Sequence, residues 1–584
     1  MMSIKRRSSV DCVKKRLRTE NGRSISTIEN LSNECFYEIF DYLAGCEIYE
    51  AFSNLNFRFQ QILRSCSLAY KIISNESTSY EMFTKSYRQI MRHHQSQILS
   101  IHIDVNDSQY LTASLFIVNS QYIRLESLVF YTIEADPLYR LLQNLRELPR
   151  LFSLKIDTQS SLTLKQINYA YQLAFALPKL NSFEFDTGIH DNRKVRLLSI
   201  STPKQMSGIT RLFMGQSCSF QEVYPFLTYT PKLRRLILAY VVDDQLDAEE
   251  ENVEYTVPII LKNLTHLVIE RCETKFDALR LHLERIRLPE LRFFRCKIDY
   301  IPDFHGVTRF DADQWASLIE KHFPQLKICH LTYPEWNFNS NGCEILEGNI
   351  QLNRFYAPFW VQRQWILNIV VNKRNIVVSI YPYKKQWYEL TLDDIDNNLT
   401  LRLMLKNQLY SDDFLTFFRK IVGIREIGYL EIDYITIEKL IQILNLLPKL
   451  IALKISSLST TQAKSLSNDE LEILKKISKE NQITKIYLEQ MNHIEEICFL
   501  LTYCPQMTYL KIGTIGSLDI DLFLRIILLK ISDHPLQFLS FAMPLADDET
   551  VKQLQTMIDF EKLLFDYTIS RHMTDIILKR KYNR

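Results

Sequence analysis

Apolar residues along this chain follow two periods, and the shorter one belongs to a phrase that keeps returning. LPRLFSLKI, starting at 148, comes back as LPKLNSFEF at 177, TPKLRRLIL at 230, LPELRFFRC at 288, FPQLKICHL at 323, LPKLIALKI at 447 and CPQMTYLKI at 504. Copies without the proline stand at 125 (LESLVF), 209 (ITRLFM), 264 (LTHLVIERC), 427 (IGYLEI) and 483 (ITKIYL). ILSIHI at 98 and LQFLSF at 536 close the ends. Period-two alternation puts successive side chains on opposite faces of a strand, so Leu267 and Ile269 are predicted to point inward and His266, Val268 and Glu270 outward. Between the phrases, DPLYRLLQNLREL (136–148) and IEKLIQILNLL (437–447) carry the longer period of a helix, and Leu138, Leu141, Leu142 and Leu145 fall on one face. The proline after such a stretch blocks its continuation and turns the chain into the next strand.

The spacing decides what is being repeated. The first apolar positions of the early copies, at 98, 125, 151, 180, 209, 233, 264 and 291, lie 24 to 31 residues apart. Leu264-x-x-Leu267-x-Ile269-x-x-Cys272 contains every apolar and thiol position of a leucine-rich repeat core. The array resembles the leucine-rich-repeat family, with long irregular units. That resemblance implies parallel strands on a concave face, helices on a convex one, and a curved solenoid over residues 98–584. A compact parallel α/β fold built from the same strands is the alternative, and it would change only the strand order.

Ahead of the array the pattern differs. Residues 1–24 are polar and basic and are expected to be disordered. In residues 25–70, Leu31, Cys35, Phe36, Ile39, Phe40 and Leu43 make the stripe of an amphipathic helix, with Ser32 as N-cap, Glu34 in the first turn and Gly45 as its stop. A second helix is predicted over 47–53 with Ile48, Ala51 and Phe52, and a third over 56–65 with Phe57, Phe59, Ile62 and Leu63. Three short helices bury little surface alone, so apolar side chains are expected to remain for a partner. Leu31-x-x-Glu34, Ile39-Phe40-x-x-Leu43, Ala51-Phe52-x-x-Leu55 and Phe59-x-x-Ile62 together resemble an F-box. Ser32 stands where that family usually has proline, and Asn56-Phe57-Arg58-Phe59 stands in its Cys-Arg/Lys-x-Trp cluster. The resemblance implies docking on a Skp-type adaptor of a cullin ubiquitin ligase, through Leu31, Glu34, Phe36, Ile39, Phe40, Leu43, Ile48, Phe52, Leu55 and Phe59. A plain helical cap on the repeat array is the other reading. Residues 71–97 are read as linker helices.

Composition narrows the remaining choices. Seventy basic and 68 acidic residues leave a net charge of +2, which disfavours nucleic acid as the main ligand. Glycine is scarce, at 12 of 584 residues, and no phosphate-cradling motif is present. The eleven cysteines include no C-x-x-C, and Cys272, Cys296 and Cys329 fall where an apolar strand residue would fit, as reduced core thiols do. No apolar run is long enough to span a membrane. The run from Lys14 to Arg18 permits nuclear import, so the cytoplasm, the nucleus or both are expected. No metal-ligand spacing or catalytic motif is found; His93-His94 faces two ways on a helix, and His102-x-Asp104 reads as a solvated pair. No cofactor, no membrane and no catalytic activity are expected. One stretch, from about 315 to 425, breaks the rhythm and holds all five tryptophans. Aromatic and arginine side chains dominate binding hot spots, which makes Trp336, Trp360, Arg363, Trp365 and Trp387 candidates for gripping a target protein; filling the core of irregular repeats is their other reading. The sequence thus predicts an α/β chain: a small three-helix F-box, then a leucine-rich-repeat-like solenoid, together acting as the substrate-recognition subunit of a ubiquitin ligase. A repeat scaffold with no ligase role is the alternative.

Overall fold

The computed structural model describes residues 28–73, 80–104, 119–158, 162–188, 206–242, 259–274, 276–299, 311–337, 354, 357–371, 375–383, 401–406, 427–459, 478–516, 519–532 and 534–580. The chain forms two compact units, Met1–Arg292 with His322–Gln325, and Phe293–Lys321 with Leu326–Arg584.

In the first unit three short helices, α1 (Asn33–Phe40), α2 (Gly45–Phe52) and α3 (Phe57–Arg64), precede a parallel sheet. Its strands are β1 (Tyr70–Ile73), β2 (Ile98–Asp104), β3 (Ser127–Tyr131), β4 (Ser153–Asp157), β5 (Ser182–Asp186), β6 (Arg211–Cys218), β7 (Arg235–Val242) and β9 (His266–Glu273), paired in that order; the short β8 (Ile259–Ile260) makes a separate pair with β10 (Ile286–Arg287). The sheet therefore begins at Tyr70, ahead of the first repeated phrase. Each repeat lays its apolar pair beside the previous one. Ile101, Leu128, Leu154, Phe183, Leu212, Leu236 and Leu267 form one row across seven strands, and Phe130, Ile156, Phe185, Met214 and Leu238 stand in a second. Every one of these side chains is buried. Helices Ala135–Asn144, Leu164–Phe175, Phe220–Tyr229 and Phe276–Arg285 alternate with the strands. Leu138, Leu141, Leu142 and Leu145 are all buried, as the helical period predicts. Cys272 is a buried thiol outside any disulfide, and so, in the second unit, are Cys296 and Cys329. His266 and Glu270 face solvent as expected. Val268 does not: it is buried on the face away from the helices.

The second unit continues the pattern with an interruption. β11 (Phe293–Ile298) and β12 (Ile328–Asn337) are parallel. An antiparallel hairpin follows, β13 (Trp365–Val371) and β14 (Asn375–Pro382), with β14 seated on β12. From β13 the parallel run resumes through β15 (Leu401–Leu405), β16 (Tyr429–Thr436), β17 (Ala452–Ser459), β18 (Lys485–Met491), β19 (Tyr509–Ile515) and β20 (Phe538–Ala542). The hairpin β21 (Tyr567–His572) and β22 (Asp575–Arg580) closes the edge antiparallel to β20. All fourteen phrases of the sequence fall on strands. Within the stretch that breaks the rhythm, residues 365–371 and 375–382 are strands, but they form a reversal rather than another repeat.

Close stacking leaves little room at some positions. A Cβ on Gly215 of β6 would lie 2.6 Å from both Cα and the carboxylate of Asp186 on β5. Gly215→Ala must push two paired strands apart, and the expected cost is about 1–3 kcal/mol, read as a lower urea midpoint. Acid sensitivity has a local source too. His282 is buried, stacked on Phe220 at a centroid distance of 4.8 Å, with Nδ1 2.7 Å from the Tyr224 hydroxyl. Burial, reinforced by the positive charge of Arg285, pushes its pKa from 6.5 down to about 4. The unfolded chain takes up this proton near pH 6.5 and the folded chain only near 4. Stability from this group is therefore intact above pH 6.5 and drains away as pH falls toward 4, with at most about 3 kcal/mol at stake. Urea midpoints measured from pH 7 to 4.5 are expected to fall less steeply in His282→Gln than in the unsubstituted chain.

Candidate docking surfaces

The N-terminal helices are fixed by local chemistry. Ser32 caps α1, its hydroxyl accepting from the Cys35 N–H at 3.4 Å. Hydrogen bonding from the Ser32 side chain and from backbone N–H holds the Glu34 carboxyl below the usual carboxylate range. α2 has no side-chain cap; instead Glu47 Oε2 accepts from the Ala44 N–H at 2.9 Å. Asn56 caps α3, accepting from the Phe59 N–H at 3.1 Å. Gly45, predicted to stop α1, opens α2. α1 already ends at Phe40, and the glycine is where α2 meets β1: a Cβ there would lie 3.1 Å from the Tyr70 and Ile72 side chains and 3.2 Å from the Lys71 carbonyl oxygen.

Four rings form the centre of the three helices. Phe36 meets Phe59 edge-on at 4.9 Å, Phe40 meets Phe52 at 4.9 Å, and Phe52 meets Phe59 at 5.2 Å. Arg58 ties the entering chain to this centre. Its guanidinium donates to the carbonyl oxygens of Glu29 and Leu31, both at 2.6 Å, and to Asn33 Oδ1 at 2.8 and 3.0 Å, while lying 5.6 Å above the Phe36 ring. A planar fork with five donors suits this task, and an ammonium does not. No hydrophobic period points to Arg58; the only hint in the sequence is a lone basic residue between two phenylalanines. The helices are also anchored to the sheet. Gln97 Nε2 donates to the carbonyls of Leu63 and Ser65 at 3.0 and 2.7 Å, the Tyr70 hydroxyl donates to Leu63 at 3.1 Å, and Arg124 donates to Cys66 at 2.6 Å. His94 takes part, with Nδ1 2.7 Å from Gln97 Oε1, and burial lowers its pKa.

The ten residues predicted to meet an adaptor separate into three groups. Phe36, Phe40, Ile48 and Phe59 are buried, so in this fold they support the segment and offer no surface of their own to an adaptor. Leu43, Phe52 and Leu55 are half-buried. Leu31, Glu34 and Ile39 are exposed. Cys35 and Ile39 share one side of α1, Leu31 precedes its cap and Tyr42 follows in the turn; all four are exposed while Phe36 and Phe40 face inward. Tyr42 is 91 % exposed and Phe57, beside Arg58, is 72 % exposed. Neither is among the ten residues expected to meet an adaptor.

The tryptophan stretch is mostly interior. Trp360, in the short helix Pro358–Gln362, and Trp365, at the start of β13, are buried with ring centroids 5.9 Å apart. Trp365 Nε1 donates to the Lys327 carbonyl at 3.3 Å. Trp315 is fully buried as well. Phe359 packs on both Trp360 and Trp365, and Arg363 lies over its ring at 4.0 Å. Of the five candidates for gripping a target, Trp360 and Trp365 are thus core, the other reading given for them, and Arg363 is exposed. The side chain of Trp336 and all of Trp387 lie outside the described residues, as do the run from Lys14 to Arg18 and the acidic run from Asp243 to Glu251.

The sheet face away from the helices holds a different set of residues. In the second unit Lys454 bridges Glu431 at 3.0 Å and Glu489 at 2.7 Å, and Lys511 pairs with Asp575 at 3.0 Å. In the first unit one row reads Ser127, Ser153, Ser182, Arg211, Arg235, His266, and the next reads Val129, Lys155, Glu184, Phe213, Ile237, Val268. Lys155 and Glu184 pair at 3.6 Å. Among the described residues no group of three or more His, Cys, Asp and Glu could hold a metal, and no helix is long and apolar enough to cross a membrane.

No family model and no curated protein matches the chain. Among solved structures it is similar to one described as the crystal structure of the Rad7 and Elc1 complex in yeast, with 11 % identity over 75 % of this chain and 88 % of that one, at a TM-score of 0.27. A likeness of that degree carries no argument about this chain.

The division between sealed and exposed residues has a direct consequence. Phe36→Ala opens a cavity among four rings and is expected to cost about 3–5 kcal/mol. Ile39→Ala, on the solvent stripe, is expected to stay within about 0.5 kcal/mol. Hydrogen exchange across residues 33–64 checks both, with fast exchange in the first variant and native protection in the second.

Proposed function

We propose that this chain is the substrate-recognition subunit of a Skp–cullin–F-box ubiquitin ligase. Its N-terminal helices, an F-box, hold a Skp-type adaptor, and its leucine-rich-repeat-like sheet holds the target. One observation carries the reading. The helical segment completes its own aromatic centre and still presents Leu31, Ile39, Tyr42 and Phe57 to solvent. A cap serving only the sheet has no use for an apolar outer stripe, and such a stripe on a folded segment marks a protein contact. The chain performs no bond chemistry in this role. It contributes proximity and orientation between a target lysine and the ligase machinery. Its work belongs in the cytoplasm or the nucleus.

The bonds from Gln97, Tyr70 and Arg124 to the helices favour a second role alongside the first, that of an end cap on the sheet. The two roles use different residues of the segment: Leu63, Ser65 and Cys66 for the cap, and Leu31, Ile39, Tyr42 and Phe57 for the contact. If capping were its whole purpose, the chain would be a repeat scaffold with no ligase.

Co-purification with a Skp-type adaptor separates these readings. The unsubstituted chain is expected to capture the adaptor, and Leu31→Asp with Ile39→Asp is expected to abolish capture with the melting temperature held within a few degrees. Capture undiminished by both aspartates defeats the ligase reading.

A further inference from the structure

We propose that the open sheet face of the first unit grips an acidic segment of a target protein through Arg211 and Arg235. This deepens the receptor reading given above and rests on it for the presence of a target.

The two arginines are partners in the β6–β7 ladder, and His266 is the partner of Arg235 on β9. All three are exposed and lie on the face away from the helices, because the intervening Leu212, Leu236 and Leu267 are buried. Adjacent strands stand about 4.8 Å apart, so the two arginines leave the sheet from neighbouring positions on one face. Like charges directly opposite each other weaken a sheet. Earlier in the same row the chain places Ser127, Ser153 and Ser182, which impose no such penalty. No ion pair to Arg211 or Arg235 occurs among the described residues. On the adjoining row Glu184, the ladder partner of Phe213, pairs with Lys155 at 3.6 Å, and Glu290 pairs with Arg292 at 3.8 Å. An external anion is what offsets the repulsion: two parallel forks match a phosphoryl group or a pair of carboxylates.

The neighbouring row points to a polypeptide as the carrier of that charge. Phe213 and Ile237 are half-buried and lie next to the arginines on the same face, an apolar floor for side chains of an extended segment. The serine row offers hydroxyls along its path. A nucleic acid would want basic residues spread along the whole face, whereas the preceding strands contribute serines and a neutralised Lys155.

Two labelled peptides test this by fluorescence anisotropy on the full chain: one with alternating Glu and Val, and one with a phosphoserine replacing the central Glu. A version with Gln for Glu is the neutral control. Binding of at least one acidic peptide is expected, with the Gln version weaker by about tenfold or more. Arg211→Gln with Arg235→Gln is expected to remove that difference while adaptor capture persists. Arg146→Gln with Arg150→Gln, which deletes the same charge from exposed positions elsewhere, is expected to leave it intact. Which peptide binds better distinguishes carboxylate from phosphoryl recognition, and either supports the site. The proposal is overturned by no binding below about 1 mM, by equal loss in the two double variants, or by a 12-nucleotide RNA displacing the peptide at lower concentration. It also fails if binding emerges only after neutralising the run from Asp243 to Glu251, because the face then belongs to this chain's own acidic segment. Adaptor capture without peptide binding defeats this inference alone. Peptide binding without capture defeats the ligase reading alone.

Discussion

Everything else in the molecule depends on strands stacking in register. A strand with an L-x-L pair cannot bury it alone; the pair becomes buried only when the next strand offers its own pair at the same height and a helix covers both. A slip of one residue would turn every leucine outward. The ladder holds even where the chain reverses. Across the antiparallel hairpin, Tyr333, Val378, Ile369, Leu403 and Leu430 are successive partners, and all are buried. Direction can change because the period of two is the same in parallel and antiparallel strands. The facing of each side chain cannot change, because burial sets it.

That constraint explains why so much of the fold was legible in the sequence. A row that must recur at one height leaves the same phrase in every repeat, and each copy of that phrase lies on a strand. The misses share a cause: a partner that is remote in sequence. β1 carries YKII, too short to show a repeat, and becomes a strand by pairing with β2. The hairpin reads as two ordinary strands until its antiparallel register is known. Val268 sits at an outward position by pattern, yet is buried on the face where the alternation predicts exposure. Gly45 is a helix stop by residue type alone, but its place is set by how closely Tyr70 and Ile72 approach it.

The N-terminal helices show the limit of pattern at finer grain. α1 offers two apolar stripes, Cys35–Ile39 and Phe36–Phe40, and periodicity gives no reason to prefer either. Ring volume decides. Four phenylalanines interlock, Phe36 with Phe59 and Phe40 with Phe52 edge-on, Phe52 with Phe59 tilted, and fill the small space that three eight-residue helices enclose. The slimmer stripe is left outside. Arg58 then fixes the approach of the chain, so the exposed leucine and isoleucine sit on a rigid support and not on a frayed end. The residues that make a docking surface possible are thus mostly buried ones, and those that would touch a partner are fewer than the sequence resemblance implied.

The same separation of duties runs along the sheet. Alternate strand positions face the helices and are held to large apolar side chains by the ladder. The positions between them are released from that demand, and their chemistry changes from strand to strand: serine, arginine and histidine in one row; valine, lysine, glutamate and phenylalanine in the next. The helix side repeats because packing is the same problem at every step. The open side does not repeat, and where it adopts an arrangement that weakens the sheet, as with Arg211 beside Arg235, the folded chain gives no stabilising reason for it. The tryptophans mark the opposite case. They drew notice in the sequence as surface anchors, yet Trp360 and Trp365 join Phe359 in packing the root of the hairpin where the repeat breaks. Bulk gathers where regular stacking fails to fill space, while charge out of keeping with its row gathers where something outside the chain completes it.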